Sequence, residues 1–225
     1  MGAQLVVRSV ELDADEPGAV SLEAQRAPGD AFLVMPFFEA LRFFTGKAIV
    51  TPAEFRALTD ELRKGAFSAS RFASEQLRIR ARDAILASLQ GGATIDEAAA
   101  QIRAGEMALG IEPQSAWYLD TVVRSNVASA YGAGKDAAQN DPAVLATRPF
   151  LQYLAAGDGR VRDSHRALHL LVFEGGSEVA AFYRPPNQGG RFAFNCRCTT
   201  STLSARQVEQ RGLLVTTERL AGWEP

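Results

Sequence analysis

The sequence predicts an α+β protein that is mainly α-helical, in which a helical first two-thirds is followed by a small, turn-rich α+β module. Two observations predict this order. Up to about residue 147, helix start signals precede stretches with apolar residues at helical spacing. From residue 148 onward, short alternating segments stand between turns rich in Gly and Pro. The chain has 225 residues, of which 47% are apolar and 22% charged, as is usual for globular proteins.

These changes of character divide the chain into four parts. Residues 1–31 are expected to form an irregular arm, because short apolar pieces alternate with the turn-forming stretches DADEPG and RAPGD. Residues 32–147 are predicted to form a helical domain and residues 148–204 the α+β module. Residues 205–225 are predicted to form a C-terminal helix and tail, with a Ser cap in LSARQVEQRGLL.

Capping boxes mark two helix starts in the helical domain, TPAE at 51–54 and TIDE at 94–97. The second of these helices is predicted to end near Gly105, ahead of a longer helix over 114–138. Another long helix is predicted over 70–89, where Gly91 and Gly92 end it.

A Phe-rich segment opens the helical domain, with a short helix predicted over 36–44. Its aromatic residues are either core or a docking face for another chain. The docking candidates are Phe37, Phe38, Phe43 and Phe44.

Three strands and a short helix are predicted in the α+β module. The strands are RPFLQYLAA from residue 148, LLVF over 170–173 and RFAFNCRCT from residue 191. The short helix, capped by Asp163 or Ser164, is expected to carry both histidines of the chain.

The two histidines and the two cysteines of the chain all fall within this module. His165 and His169 are four residues apart and share one face of a helix, while Cys196 and Cys198 are two apart and share one side of a strand. Two nitrogens and two thiolates are the ligand set of a closed, structural Zn²⁺ site. A reduced, buried cysteine pair is the alternative, and a disulfide across C-x-C would be strained.

Charge is unevenly distributed along the chain. The net charge of −2 argues against a protein built chiefly to coat nucleic acid. From Arg148 onward, however, ten arginines and no lysine face seven acidic residues. These arginines are either a solvated surface or a contact surface for nucleic acid or a partner. The contact candidates are Arg160, Arg162, Arg166, Arg191 and Arg197.

The sequence lacks the motifs of several classes of protein function. The sequence contains neither a phosphate-binding GxxxxGK[ST] loop nor a G-x-G-x-x-G motif. It contains no run of eighteen apolar residues and no N-terminal signal peptide, so we expect no membrane span and synthesis in a reducing cytoplasm. Ser164 and His165 are adjacent on a predicted helix and point apart, which argues against a nucleophilic triad. No catalytic residue is assigned.

The order of several motifs resembles the phage Mu F-like head-morphogenesis family of minor capsid proteins. The motifs are VVRSN, A-Y-x-x-G, RPFLQY, D-x-R-V-R-x-S-H-x-A-L, PPN and NCRC, and the resemblance runs from about residue 35 to residue 203. In the family pattern an Asp-Gly pair often stands where this chain has His169-Leu170. Asp158 or Asp163 is therefore an alternative to His169 as the fourth ligand.

The resemblance implies a structural protein of the phage head rather than an enzyme. It implies a place inside the virion near the portal and a link to DNA packaging or ejection. The expected partners are portal protein, major capsid protein, packaged DNA and other copies of the chain, in a phage, a prophage or a gene transfer agent. The rival interpretations are a metal-dependent nuclease or hydrolase and a nucleic-acid-binding module.

Overall fold

The predicted fold class, α+β and mainly helical, is confirmed by the structure. A computed structural model describes residues 37–91, 93–190 and 196–223, without the side chains of residues 60 and 61. The predicted arm at 1–31 lies outside the described residues. Within the described part of the chain, no helix is both long and apolar enough to cross a membrane.

Except for the first, at residues 38–45, the helices before residue 148 begin where polar side chains accept hydrogen bonds from free backbone amides. Thr51 and Thr94 each form the predicted capping box, and Ser74 accepts the Leu77 amide at 3.4 Å. The helix predicted from residue 70 therefore starts at residue 75. The elements are α1 (Phe38–Thr45), β1 (Ala48–Ile49), α2 (Pro52–Ala57), α3 (Asp60–Lys64), β2 (Ala66–Phe67), α4 (Glu75–Gly91), α5 (Ile95–Ala108), α6 (Ala116–Gln139) and α7 (Pro142–Thr147).

The core of this helical part lies between α1, α4, α5 and α6. Its fully buried residues include Phe44, Phe72, Ile85 and Leu119. Burying aliphatic and aromatic side chains of this size contributes about 2 kcal/mol each. Phe44 is thus a core residue and not part of a docking face, because α1 turns it toward α6 and β2.

The other phenylalanines proposed for docking differ in exposure. Phe37 and Phe43 are half-buried, and Phe37 stacks on Tyr131 with ring centroids 6.0 Å apart. Phe38 is 62% exposed. Of the four, Phe38 alone offers most of its ring to solvent.

The α+β module is built on a three-stranded antiparallel sheet. The strand after residue 148 is confirmed, and it lies between the strands at 172–174 and 199–203. Its register pairs Leu151 with Phe173 and with Thr202. The elements are β3 (Phe150–Leu154), α8 (Asp163–Arg166), β4 (Val172–Glu174), α9 (Glu178–Phe182), a 3₁₀ turn (Pro186–Gln188), β5 (Thr199–Leu203) and α10 (Ala205–Gln210).

Two predictions for this module are wrong. The helix α8 ends at Arg166 and carries only His165, so the two histidines do not share a helix. Cys196 and Cys198 lie just ahead of β5, in a segment without regular secondary structure, and not within a strand. The predicted strand also included residues 191–195, which lie outside the described residues.

Helix α6 joins the helical part to the module through buried polar side chains. The Thr200 hydroxyl donates to Gln139 Oε1 at 2.6 Å, and Gln139 Nε2 donates to the Thr200 carbonyl at 3.1 Å. Gln188 Nε2 donates to the Thr200 hydroxyl at 3.1 Å. All three side chains are buried, and removing one partner would leave the others unsatisfied at a cost of about 1–3 kcal/mol.

The same helix approaches the 3₁₀ turn so closely that only glycine fits. A Cβ atom at Gly132 would overlap the carbonyl oxygen of Asn187. Two residues further on, a Cβ atom at Gly134 would lie 2.7 Å from the amide nitrogen of Ala40 in α1. Small residues on α6 therefore set its distance from both neighbours.

We predict that Gly132→Ala destabilises the fold by roughly 3 kcal/mol, because the methyl group meets backbone rather than a flexible side chain. Urea unfolding followed by circular dichroism measures this change. The matched control is Gly91→Ala, where a Cβ atom meets nothing within 4 Å. The control is expected to be neutral or slightly stabilising, and equal losses in both variants would contradict the prediction.

A lysine is buried at the end of α1. Lys47 is 8% exposed, and its ammonium lies 4.9 Å from the centroid of the Phe43 ring and 5.8 Å from that of Phe44. Among the described residues it has neither a hydrogen-bond acceptor nor a carboxylate partner. Burial lowers the pKa of Lys47 from 10.5 to about 8.

We predict that Lys47→Met stabilises the protein at pH 7 by up to roughly 3 kcal/mol, the free-energy equivalent of the lowered pKa. The folded-state pKa lies below the unfolded one, so the cost of the buried charge is complete below about pH 8. It disappears as the pH rises toward 10.5, because the folded state then no longer holds the charge.

Urea unfolding of both proteins at pH 7, 9 and 10.5 measures the advantage of the variant. The advantage should shrink across this series. A pH-independent difference would show that the charge of Lys47 has no part in it.

Candidate metal centre

Three side chains that the sequence singled out converge in the module. His165, Cys196 and Cys198 place one ligand atom each within 4.8 Å of one another, and all three are buried. His165 Nδ1 lies 3.6 Å from both sulfur atoms. The two cysteines are free thiols, not a disulfide.

These distances fit the edges of a tetrahedral zinc site. With Zn–N near 2.0–2.1 Å and Zn–S near 2.3 Å, the nitrogen and sulfur ligands of a tetrahedron stand roughly 3.5 Å apart. The observed separation of 3.6 Å therefore allows an ion to bind with little movement of the side chains. The donor set, one imidazole and two thiols, is one that Zn²⁺ prefers.

His165 is held in place by the C-terminal tail. The indole nitrogen of Trp223 donates to the carbonyl of Ser164 at 2.7 Å, and its ring lies edge-on to Tyr183 with centroids 5.0 Å apart. The hydroxyl of Tyr183 accepts the amide of Leu220 at 2.6 Å. Sequence reasoning missed Trp223, although a Trp in the tail is a signal that the tail packs against the rest of the protein.

The surroundings of the two sulfurs favour one thiolate. The pKa of Cys198 lies well below its ordinary value because the Cys196 thiol hydrogen-bonds to it, with help from His165 and the Tyr153 hydroxyl. The hydrogen bond with Cys198, together with burial, raises the pKa of Cys196. The pair therefore shares one proton, which a bound ion would displace.

Tyr153 is buried in the central strand β3, and its hydroxyl forms a hydrogen bond with Cys198. Burial raises the pKa of its phenol, and the hydrogen bond with Cys198 adds to this effect. Tyr153 therefore stays a hydroxyl that donates to sulfur. Such a donor orients a thiolate in the way that outer-shell groups orient metal ligands.

His169 lies outside this cluster. It is exposed, and its Nδ1 accepts the backbone amide of Ala155 at 3.2 Å. The reason is that α8 ends after one turn and the chain then reverses through Leu170, whose φ is 69°. His169 thus points to the end of β3, away from the face that His165 uses.

The two aspartates proposed as substitutes are also outside the cluster. Asp158 forms an ion pair with Arg197, and its Oδ1 accepts the Arg160 amide at 2.9 Å. The Arg197 side chain and then this amide lower the pKa of Asp158 to about 2. Asp163 has a side chain that is 97% exposed and faces Arg166 at 3.4 Å.

Arg197 stands between the two cysteines and was proposed only as a nucleic-acid or partner contact. Its two-pronged contact with Asp158 ties the C-x-C segment to the turn after β3. Arg160, Arg162 and Arg166 are exposed on or beside α8, and Arg166 also donates to the Val161 carbonyl at 3.2 Å. Arg191 lies outside the described residues.

Fold and site together define a mainly helical α+β protein with a small sheet module and a buried His-Cys-Cys cluster. The family described as Phage Mu protein F like protein matches residues 80–201, which is more than half of the chain and includes the whole cluster. The chain belongs to this family.

Two curated relatives are similar to this chain. The putative capsid assembly protein F of Escherichia phage Mu is 38% identical over 105 residues, which cover 47% of this chain and 22% of that protein. The Mu-like prophage FluMu F protein of Haemophilus influenzae is 34% identical over 97 residues, or 43% of this chain and 22% of that protein. The chain thus spans about a fifth of the length of these relatives. No solved structure matches it significantly.

The conformation of Leu170 generates a prediction about the turn that separates the histidines. Leu170 adopts a left-handed φ of 69°, which costs a residue with a Cβ atom about 1 kcal/mol relative to glycine. We predict that Leu170→Gly is more stable than Leu170→Ala by about 1 kcal/mol.

The comparison with alanine isolates the backbone effect, because both variants lose the same half-exposed side chain. Urea unfolding of the two variants measures the difference. Greater stability of the alanine variant would show that the turn is not strained.

Proposed function

We propose that this chain is part of a phage head protein that acts in capsid assembly, with a structural rather than a catalytic role. Family membership supports this role, as does the name of the phage Mu relative, a putative capsid assembly protein. In this proposal the protein is made in the host cytoplasm and ends in the virion, inside the head near the portal. Its partners are portal protein, major capsid protein and further copies of the chain.

The module is proposed to hold one structural Zn²⁺ ion through His165, Cys196 and Cys198. The observation that carries this proposal is the separation of 3.6 Å between the imidazole nitrogen and each sulfur. The residues that the structure describes supply three ligands; a structural site takes its fourth ligand from outside them.

An ion is useful here because the module has little core of its own. Its buried residues form two small clusters, one around Tyr153 and Phe173 and the other around Val172, Leu203 and Val208. Small cores supply little stability, and metal binding adds its free energy to that of folding.

We predict that the purified protein contains one zinc per chain and that His165→Ala and Cys198→Ser abolish it. Inductively coupled plasma mass spectrometry measures the metal content. His169→Ala is the matched control and should keep the ion, because its side chain lies outside the cluster. Wild-type protein without metal that also binds no added Zn²⁺ would refute the site.

We predict that a chelator destabilises the fold by removing zinc. If the free zinc concentration is a thousand times the dissociation constant before the chelator is added, the loss is about 4 kcal/mol. Thermal unfolding with and without chelator checks this. The Cys198→Ser variant should not respond to the chelator, which separates loss of the ion from general effects of the reagent.

The assembly role is tested by co-expression with the portal and major capsid proteins encoded by the same phage. We expect the chain to co-purify with one of them, and the metal-site variants that still fold to do so as well. Strong binding to DNA fragments that weakens steeply with salt would favour the nucleic-acid-binding alternative instead. DNA cleavage that is lost in His165→Ala would favour the nuclease.

A further inference from the structure

A groove of about 660 Å³ separates the α1–α3 region from the turn at 186–190, with α6 as its floor. This volume is within the range of ligand-binding clefts. Phe43 and Trp117 contribute apolar walls, and Trp117 is 71% exposed. An exposed Trp beside a groove is typical of a binding surface, because a large apolar ring on the surface gains from being covered.

Charge in the groove is one-sided. The described residues that line it include no acidic residue and five basic ones: Lys47, Arg56, Arg63, Lys64 and Arg71. The one-sided field selects an occupant that carries carboxylates or phosphates.

Lys47 is a second reason to expect an anionic occupant of the groove. Its ammonium is buried against the Phe43 ring, borders the groove, and has no acceptor or carboxylate among the described residues. A desolvated cation without an anion is costly, so an anionic group bound here would gain more than the same group at the surface.

Two further polar atoms on the groove distinguish a peptide from a nucleic acid. The side-chain oxygens of Ser68 and Asn187 are buried and lack a hydrogen-bond partner within the described part of the chain. Asn187 Oδ1 only accepts hydrogen bonds. A peptide backbone offers N–H donors along its whole length, whereas a sugar–phosphate backbone offers acceptors to such an atom.

We infer that this groove binds an acidic, apolar-containing peptide segment of a partner protein, with Lys47 as the anchor for a carboxylate. Apolar side chains of the segment pack on Phe43 and Trp117, and its backbone amides reach Asn187. Cys196 of the His-Cys-Cys cluster also lines the groove. The inference nevertheless does not depend on a bound ion or on the assembly role, since its argument uses residues of the helical part and the turn.

The experiment uses two fluorescein-labelled hexapeptides, FDLEFD and its uncharged counterpart FNLQFN, with fluorescence anisotropy on the full chain. We expect FDLEFD to bind about tenfold more tightly than FNLQFN, and Lys47→Met to remove this difference. Loss of folding does not explain such a result, because Lys47→Met is expected to be the more stable protein. Circular dichroism verifies the fold.

Lys135→Met is the matched control. Lys135 is a half-buried lysine that donates to Thr199 at 2.8 Å, away from the groove. It should keep the preference for FDLEFD. Equal binding of both peptides, or a preference that survives in Lys47→Met, would overturn the inference. A labelled dT hexamer that binds more tightly than FDLEFD would overturn it in favour of single-stranded nucleic acid.

Discussion

The close contact between α6 and the segments at 186–188 and 199–203 is the constraint on which the rest of the structure depends. Gly132 lets the helix touch the turn, and Gln139 then reaches Thr200 through a pair of buried hydrogen bonds. Thr200 follows Cys198 by two residues, so the same contact fixes where the cysteines lie. It also sets one wall of the groove. Helical part, sheet module and both candidate sites thus share one junction.

This junction explains which parts of the fold were predictable. Local chemistry determined the helix starts, since the side chains of Thr51 and Thr94 accept hydrogen bonds from the backbone amides three residues later in the sequence. The central strand was equally predictable from local sequence, because aromatic and apolar residues nearly alternate there, although residues 151–153 are all buried. The contact of Gln139 with Thr200 joins residues 61 positions apart, and no pattern of polar residues in the sequence predicts it.

The candidate metal site shows the same division. His165, Cys196 and Cys198 were singled out correctly as a group, but the geometry assumed for them was wrong. An i, i+4 pair shares a face only if the helix lasts more than one turn, and α8 does not. The two cysteines converge on His165 although they lie outside the sheet, so a strand is not what brings their sulfur atoms together. The supports of the site, Tyr153 and Trp223, come from distant parts of the chain and were not predictable from spacing.

The docking of Trp223 has a kinetic consequence for the buried cluster. The indole covers α8 through one hydrogen bond and ring contacts with Phe182 and Tyr183, a much smaller set of interactions than the core holds. Detachment of the tail is therefore a local opening that costs less than global unfolding. Solvent would reach His165 by this route. Exchange of a bound ion and hydrogen exchange at α8 should therefore share one rate, which is the rate at which the tail with Trp223 detaches.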